Sequence, residues 1–323
     1  MTPPAPPHSP PDHDERLAPL RGRDFLSVRD LTGDELRALL DRALLMKADP
    51  VKYSTALRGQ ALAMIFEKPS LRTRVTFDVG MFQLGGYAIE LPGDIGLGKR
   101  EALQDVARNL ERMVQALMVR TFGHDIVEQL AEYASIPVIN GLTDFSHPCQ
   151  ALADYLTILE VRGRLEGTKV AYVGDGNNVA HSLMFAAALL GVHIAIGAPA
   201  GYEPAVEVRD WVHAKAPATG ASCLLTSDPA EAVRGADVVY TDVWASMGQE
   251  DEAAARRKLF APYQVNGRLF SLARPDAVFM HCLPAHRGDE VTDEVLDSSR
   301  SVVFQQAENR LHAQKALLYA LMR

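Results

Sequence analysis

Ser70-Leu71-Arg72-Thr73-Arg74 is the stretch best equipped for anion chemistry. It follows an apolar run and a turn, at the point where a helix would begin. A helix start offers unpaired backbone N–H groups and partial positive charge, both suited to a phosphate. Ser70 and Thr73 add hydroxyls, and Arg72 can hold two phosphate oxygens at once. The same spacing also fits an ordinary helix cap followed by solvated arginines, and the segment alone does not choose between them.

Other stretches place reactive groups at comparable positions. His147-Pro148-Cys149-Gln150 sets an imidazole and an amide one helical turn apart, so both can address one small polar ligand. A surface histidine at a helix start is the plain alternative. Arg120 ends an apolar run, a position where open α/β sheets bind ligands. Asp242 follows another such run and could hold an ammonium or merely cap a turn; its loop continues through Ser246 and Met247 to Gly248. Cys282, in His281-Cys282-Leu283-Pro284, is placed like a buried inert cysteine, although a neighbouring charge can change its ionisation.

Gly174-Asp175-Gly176-Asn177-Asn178-Val179-Ala180 matches a dinucleotide fingerprint loosely. That fold needs an acid at the end of the next strand, and Ala195-Ile196-Gly197-Ala198-Pro199 has none. The glycines instead permit close approach of a smaller ligand, with Asn178 able to donate or accept. Nothing supplies the paired base and oxyanion hole of a nucleophilic cysteine, and the cysteines and histidines lack paired zinc-ligand spacing. Neither cofactor nor metal is expected.

These groups need elements to position them. Thr32 suits a helix cap, with Asp34 and Glu35 in the first turn. Apolar runs at 61–66, 116–119 and 137–139 read as strands, and 71–84 and 125–134 as helices. In the helix at 71–84, Leu71, Val75, Val79 and Phe82 share a face, and Gly85-Gly86 closes it. A long helix at 149–161 connects to a second alternating series: strands at 169–173, 192–196, 236–241 and 277–280, a helix at 179–190, and a last helix at 306–322. Such alternation argues for parallel sheets with helices on both faces. The expected fold is α/β, with two doubly wound parallel-sheet domains joined by helices and a C-terminal helix returning to the first domain. The expected divisions are a disordered tail at 1–22, a domain at 23–150, a linking helix at 151–167, a second domain at 168–305, and the helix at 306–323.

Composition limits what such a molecule can serve. The 323 residues are 47% hydrophobic and 23% charged, enough for a full core. A net charge of -8 speaks against a nucleic-acid surface, so any anionic ligand must be met by a local cluster of cations. Three cysteines are too few for a disulfide framework and suit a reducing, cytoplasmic setting. No apolar run reaches the roughly 18 residues of a membrane span. The Pro- and His-rich start lacks the features of a secretion signal or a transit peptide.

Taken together and in order, residues 66–74, 147–150, 174–182, 242–248, 281–284 and 307–310 resemble the ornithine carbamoyltransferase family. The fourth and fifth segments set the chain apart from aspartate carbamoyltransferases. The resemblance implies transfer of the carbamoyl group of carbamoyl phosphate to the δ-amine of L-ornithine, giving citrulline, without cofactor. It implies that Ser70, Leu71, Arg72 and Thr73 bind the phosphate, Leu71 through its backbone N–H because it replaces the family's usual threonine. Arg120, His147 and Gln150 would address the carbamoyl group, and Arg310 would reach carbamoyl phosphate from the last helix. Asn178, Asp242, Ser246 and Met247 would position ornithine. Cys282 would contact its side chain and help its amine lose a proton, while Leu283, on a cis bond to Pro284, would offer a carbonyl. Both would also line the carbamoyl phosphate site. Catalysis would rest on Cys282, Arg120 and His147. The resemblance also implies a homotrimer, or a multiple of trimers, with sites at subunit interfaces, and a place in arginine metabolism. Gly96 stands where many relatives carry Gln, so that contact is not carried over.

Overall fold

The computed structural model describes residues 13–92, 96–245 and 250–323. The first half comprises α1 (His13–Leu17), α2 (Gly33–Ala48), β1 (Ala61–Phe66), α3 (Leu71–Gln83), β2 (Tyr87–Pro92), α4 (Leu103–Leu110), β3 (Ala116–Arg120), α5 (His124–Tyr133) and β4 (Val138–Leu142). The long α6 (Pro148–Arg162) leads into β5 (Lys169–Val173), α7 (Asn178–Leu190), β6 (His193–Gly197), α8 (Val206–Lys215) and β7 (Cys223–Thr226). Then come α9 (Pro229–Val233), β8 (Val238–Thr241), α10 (Ala253–Phe260), α11 (Gly267–Phe270), β9 (Val278–His281), α12 (Asp293–Leu296) and α13 (Val303–Met322).

Two all-parallel sheets result, ordered β2-β1-β3-β4 and β7-β6-β5-β8-β9. β1 and β8 are buried along their whole length, which is why they read as continuous apolar runs rather than alternating ones. In each sheet the chain fills one side of its first strand and then the other. The order therefore reverses between β1 and β3, and again between β5 and β8. Ligands of open α/β sheets bind at the carboxyl ends of strands flanking such a reversal. Phe66 pairs with Arg120 at the first, and Val173 with Thr241 at the second, one residue before Gly174 and Asp242.

Helices fasten the halves together. α6 opens with Pro148 at its first position and ends at Gly163, whose φ of 69° suits glycine. Its residues from Pro148 to Ile158 are all buried. α13 packs against α6, α2 and α3, so the chain's last helix returns to the first half, as the alternation of elements led us to expect. One continuous apolar core runs through α2, α6, α7 and α13 and joins both sheets. The Thr32–Glu35 capping box starts α2, matching the sequence signal.

One expectation changes. Order begins before residue 22: α1 is helical, Leu17 and Leu20 are buried, and the Gly22 N–H donates to Leu321 O at 2.9 Å. The shared face of Leu71, Val75 and Phe82 on α3 is not its buried face, since they are 73%, 48% and 79% exposed. α3 instead buries Thr73, Thr76, Phe77, Gly80 and Met81, because the hydroxyls of Thr73 and Thr76 meet polar groups of α13. Among the described residues, no helix is long and apolar enough to cross a membrane.

Candidate active site

The carboxyl ends of the two sheets bring most of the expected residues together. Ser70 caps α3 from an extended backbone, its Oγ accepting the Thr73 N–H at 3.2 Å. Arg72, on the first turn, donates to the carbonyl of Leu283 in the other half. Thr73 is buried, and its hydroxyl accepts from Arg310 Nη2 at 3.2 Å. Arg310 is itself buried, with Nη1 donating to Gln150 Oε1 at 2.8 Å and Nε to Gln314 Oε1 at 2.9 Å. Arg74 turns away to pair with Glu90 at 2.7 Å.

Arg120 and His147 complete a cationic cradle. Arg120, at the end of β3, is 5% exposed, and its Nε has no hydrogen-bond partner. Burial, with Arg310 and Arg72 close by, lowers its guanidinium to about 9. His147 sits at the start of α6, and its Nδ1 is likewise buried and unpartnered. Burial, followed by Arg310, Arg120 and Arg72, holds its imidazole well below the ordinary histidine range. His147 is thus neutral, a hydrogen-bonding group rather than a fourth cation. Its backbone N–H is fixed on Ser182 Oγ at 2.9 Å, across the boundary between the halves.

The second half presents a different pair. Asp242, beyond β8, accepts the Cys282 thiol at 3.0 Å on Oδ1 and Asn177 Nδ2 at 2.9 Å on Oδ2. Burial, and then Asp242, push the Cys282 thiol well above its usual value, so it stays protonated. The Leu283–Pro284 bond is cis, and Leu283 has a φ of 58°. The Leu283 N–H donates to His281 Nδ1 at 2.8 Å, which leaves the proton of that ring on Nε2, facing Glu290 Oε1 at 3.1 Å. Donor atoms of Asp242, His281 and Cys282 lie within 4.8 Å of one another, a metal-capable grouping that linear spacing hides. Each of these groups already has a protein partner.

Asn178, expected to face the ligand, donates from Nδ2 to Thr143 O at 2.6 Å. It thus ties α7 to the loop before His147. Ser246 and Met247 lie outside the described residues. Asn177, not singled out in the sequence, caps α7 and holds Asp242. Asp154, Gln306 and Gln314, also not singled out, line the cradle from behind. Asp154 stands four residues after Gln150 on one helical face, a spacing that was there to be read. Gln306 and Gln314 had no such local signal.

Three buried or half-buried guanidiniums, a neutral imidazole and a thiol–carboxylate pair thus converge between two parallel sheets. Similarity to known proteins places this arrangement. Residues 23–160 match the carbamoyl-P binding domain of aspartate/ornithine carbamoyltransferases, and residues 166–321 match their Asp/Orn binding domain. The chain therefore belongs to the aspartate/ornithine carbamoyltransferase family, and within it to the ornithine carbamoyltransferases. It is 57% identical to an ornithine carbamoyltransferase of Thermococcus kodakarensis over 94% of this chain and 97% of that protein. It is also 57% identical to one of Carboxydothermus hydrogenoformans, over 95% of this chain and 99% of the relative. Among solved structures, ornithine carbamoyltransferase from Pyrococcus furiosus superposes with a TM-score of 0.91 at 55% identity, covering 94% of this chain and 98% of that one.

Proposed function

We propose that this chain carbamoylates the δ-amine of L-ornithine with carbamoyl phosphate, releasing L-citrulline and phosphate. The observation that carries the reading is the uncompensated cradle of Arg72, Arg120 and Arg310 facing the Asp242–Cys282 pair. Ser70, the Leu71 N–H, Arg72 and Thr73 take the phosphate at the α3 start. Arg120, His147 and Gln150 take the carbamoyl oxygen and amide, with Arg310 behind them.

Attack by a neutral amine puts negative charge on the carbamoyl oxygen and then on the leaving phosphate. A donor cluster already oriented toward both stabilises the transition state more than the ground state. A neutral His147 suits this role, because it donates a hydrogen bond without a proton transfer. On the other side, ornithine arrives as an ammonium. Asp242 attracts it, and Cys282, as a thiol, fixes the carboxylate that receives the amine's proton. Asn178, Ser246 and Met247 complete the ornithine contacts, with Leu283 lending its carbonyl.

The division at residues 23–150 and 168–305 then separates the two substrates' binding sides. A homotrimer, or a multiple of trimers, is supported by the exposed apolar stripe of α3 and by Tyr87 and Ile89 on edge strand β2, which are 54% and 39% exposed. The three free cysteines suit a cytoplasmic setting.

A citrulline assay with carbamoyl phosphate and ornithine, N-acetylornithine, putrescine or aspartate in turn tests the reading. Ornithine alone should give rapid turnover. Turnover with another acceptor and not with ornithine would overturn it.

A further inference from the structure

Behind the cradle, wholly buried, lies a carboxylate to which the proposed function assigns no substrate contact. Asp154 Oδ1 accepts Gln150 Nε2 at 2.8 Å and Gln306 Nε2 at 2.7 Å, and Oδ2 accepts Tyr240 OH at 3.2 Å. Each of these donors comes from a different element: α6, α13 and β8.

An amide has a donor end and an acceptor end, and a carboxylate can face only the donor. Asp154 therefore sets the direction of two glutamines at once. With Nε2 of Gln150 on Asp154, Oε1 is left for Arg310 Nη1 at 2.8 Å. That bond aims the Arg310 fork, whose Nη2 reaches Thr73. With Nε2 of Gln306 on the same oxygen, its Oε1 accepts the backbone N–H of His281 at 2.9 Å, one residue before Cys282. One buried acceptor thus orients groups in both halves of the cleft.

We infer that Asp154 is a positioning residue that aligns the carbamoyl side of the site through Gln150 and Arg310, and the thiol side through Gln306. The inference rests on the substrate assignment above. Burial raises its carboxyl to about 7, and the three donors and Arg310 offset part of that shift. The other ionisable neighbours are Tyr155, Tyr240 and Cys282, all held protonated by burial.

The test compares Asp154→Asn and Gln306→Met with the unaltered enzyme, by calorimetric titration and steady-state kinetics. Citrulline formation by the unaltered enzyme is measured first, so that failure of the substrate assignment is recognised separately. An asparagine keeps the shape but can present a donor to Gln150, which frees the amide to turn. Asp154→Asn should weaken carbamoyl phosphate by about tenfold or more, the worth of one or two hydrogen bonds, and inorganic phosphate by less than about threefold. Equal losses for both anions, or no loss for either, would overturn the inference.

Gln306→Met keeps Asp154 and Gln150 in place. It should raise the KM for ornithine by roughly fivefold while leaving carbamoyl phosphate affinity within about twofold. An unchanged ornithine KM, or a loss on the carbamoyl phosphate side, would contradict the second arm even if Asp154→Asn fails to fold.

Discussion

The two sides of the cleft satisfy their charges in opposite ways. On the first-half side, Arg72 and Arg310 donate, among the described residues, to neutral acceptors: the Leu283 carbonyl, Thr73, Gln150 and Gln314. Among the described residues, none of the cradle's arginines sits in an ion pair. Structural arginines elsewhere do: Arg162 bonds Asp237 at 2.8 Å, and Arg287 bonds Asp293 and Asp297 at 2.6 Å each. On the second-half side, Asp242 is already met by a thiol and an amide, which hold it without neutralising it. The charges of Arg162 and Arg287 are compensated internally. Those at the cleft are held by dipoles, positive on one side and negative on the other, and the proposed function leaves them for the phosphate and the ammonium.

Breaking the cradle should have the largest effect. Arg72→Ala removes charge-assisted bonds worth about 3 kcal/mol, so kcat/KM for carbamoyl phosphate should fall on the order of 100-fold in initial-rate assays. Retention of normal kcat/KM would remove Arg72 from the phosphate site. Next in size is the exposed stripe of α3. Phe82→Glu should weaken self-association by about 2 kcal/mol per contact, seen as smaller species in dilution-series sedimentation. An unchanged distribution would place the subunit contact elsewhere.

Altering the opposite side should be milder and fall on the other substrate. Cys282→Ser, which retains a hydroxyl donor, should lower kcat/KM for ornithine by roughly tenfold. The reverse pattern, with carbamoyl phosphate affected and ornithine spared, would undo the contrast between the sides. A pH effect separates them further. His147 is depressed in the fold, so falling pH protonates it in the unfolded chain first, and this group's contribution is lost as pH drops below about 6.5. Its ring resonances should stay neutral in NMR spectra down to pH 6, and titration near 6.5 would contradict the neutral assignment. Smallest is Thr32→Ala, far from the cleft, which should cost about 1 kcal/mol in thermal unfolding with activity unchanged.

How much of this could be read from the chain differs between the sides as well. β1 was legible to the residue, because a strand buried on both faces leaves an uninterrupted apolar run, and β5 was too, its apolar run following half-buried Lys169. Ser70 to Thr73 and His147 to Gln150 stood out as local motifs at helix starts, whereas Arg310 came only from the family resemblance. Short edge strand β7 was not: its residues are half-exposed and its pattern weak. In helix α3 the shared apolar face was legible but not its direction: the stripe faces outward while threonines face in. Gln306 and Gln314 were silent for another reason. Their meaning comes from residues up to 238 positions away that only the tertiary fold brings close.

The central claim is that the cleft has one side for each substrate, and paired calorimetric titrations of carbamoyl phosphate into Arg72→Ala and Cys282→Ser test it most directly. Binding should be abolished or weakened on the order of 100-fold in the first and kept within about twofold in the second. Equal weakening in both, or loss only in Cys282→Ser, would contradict the account.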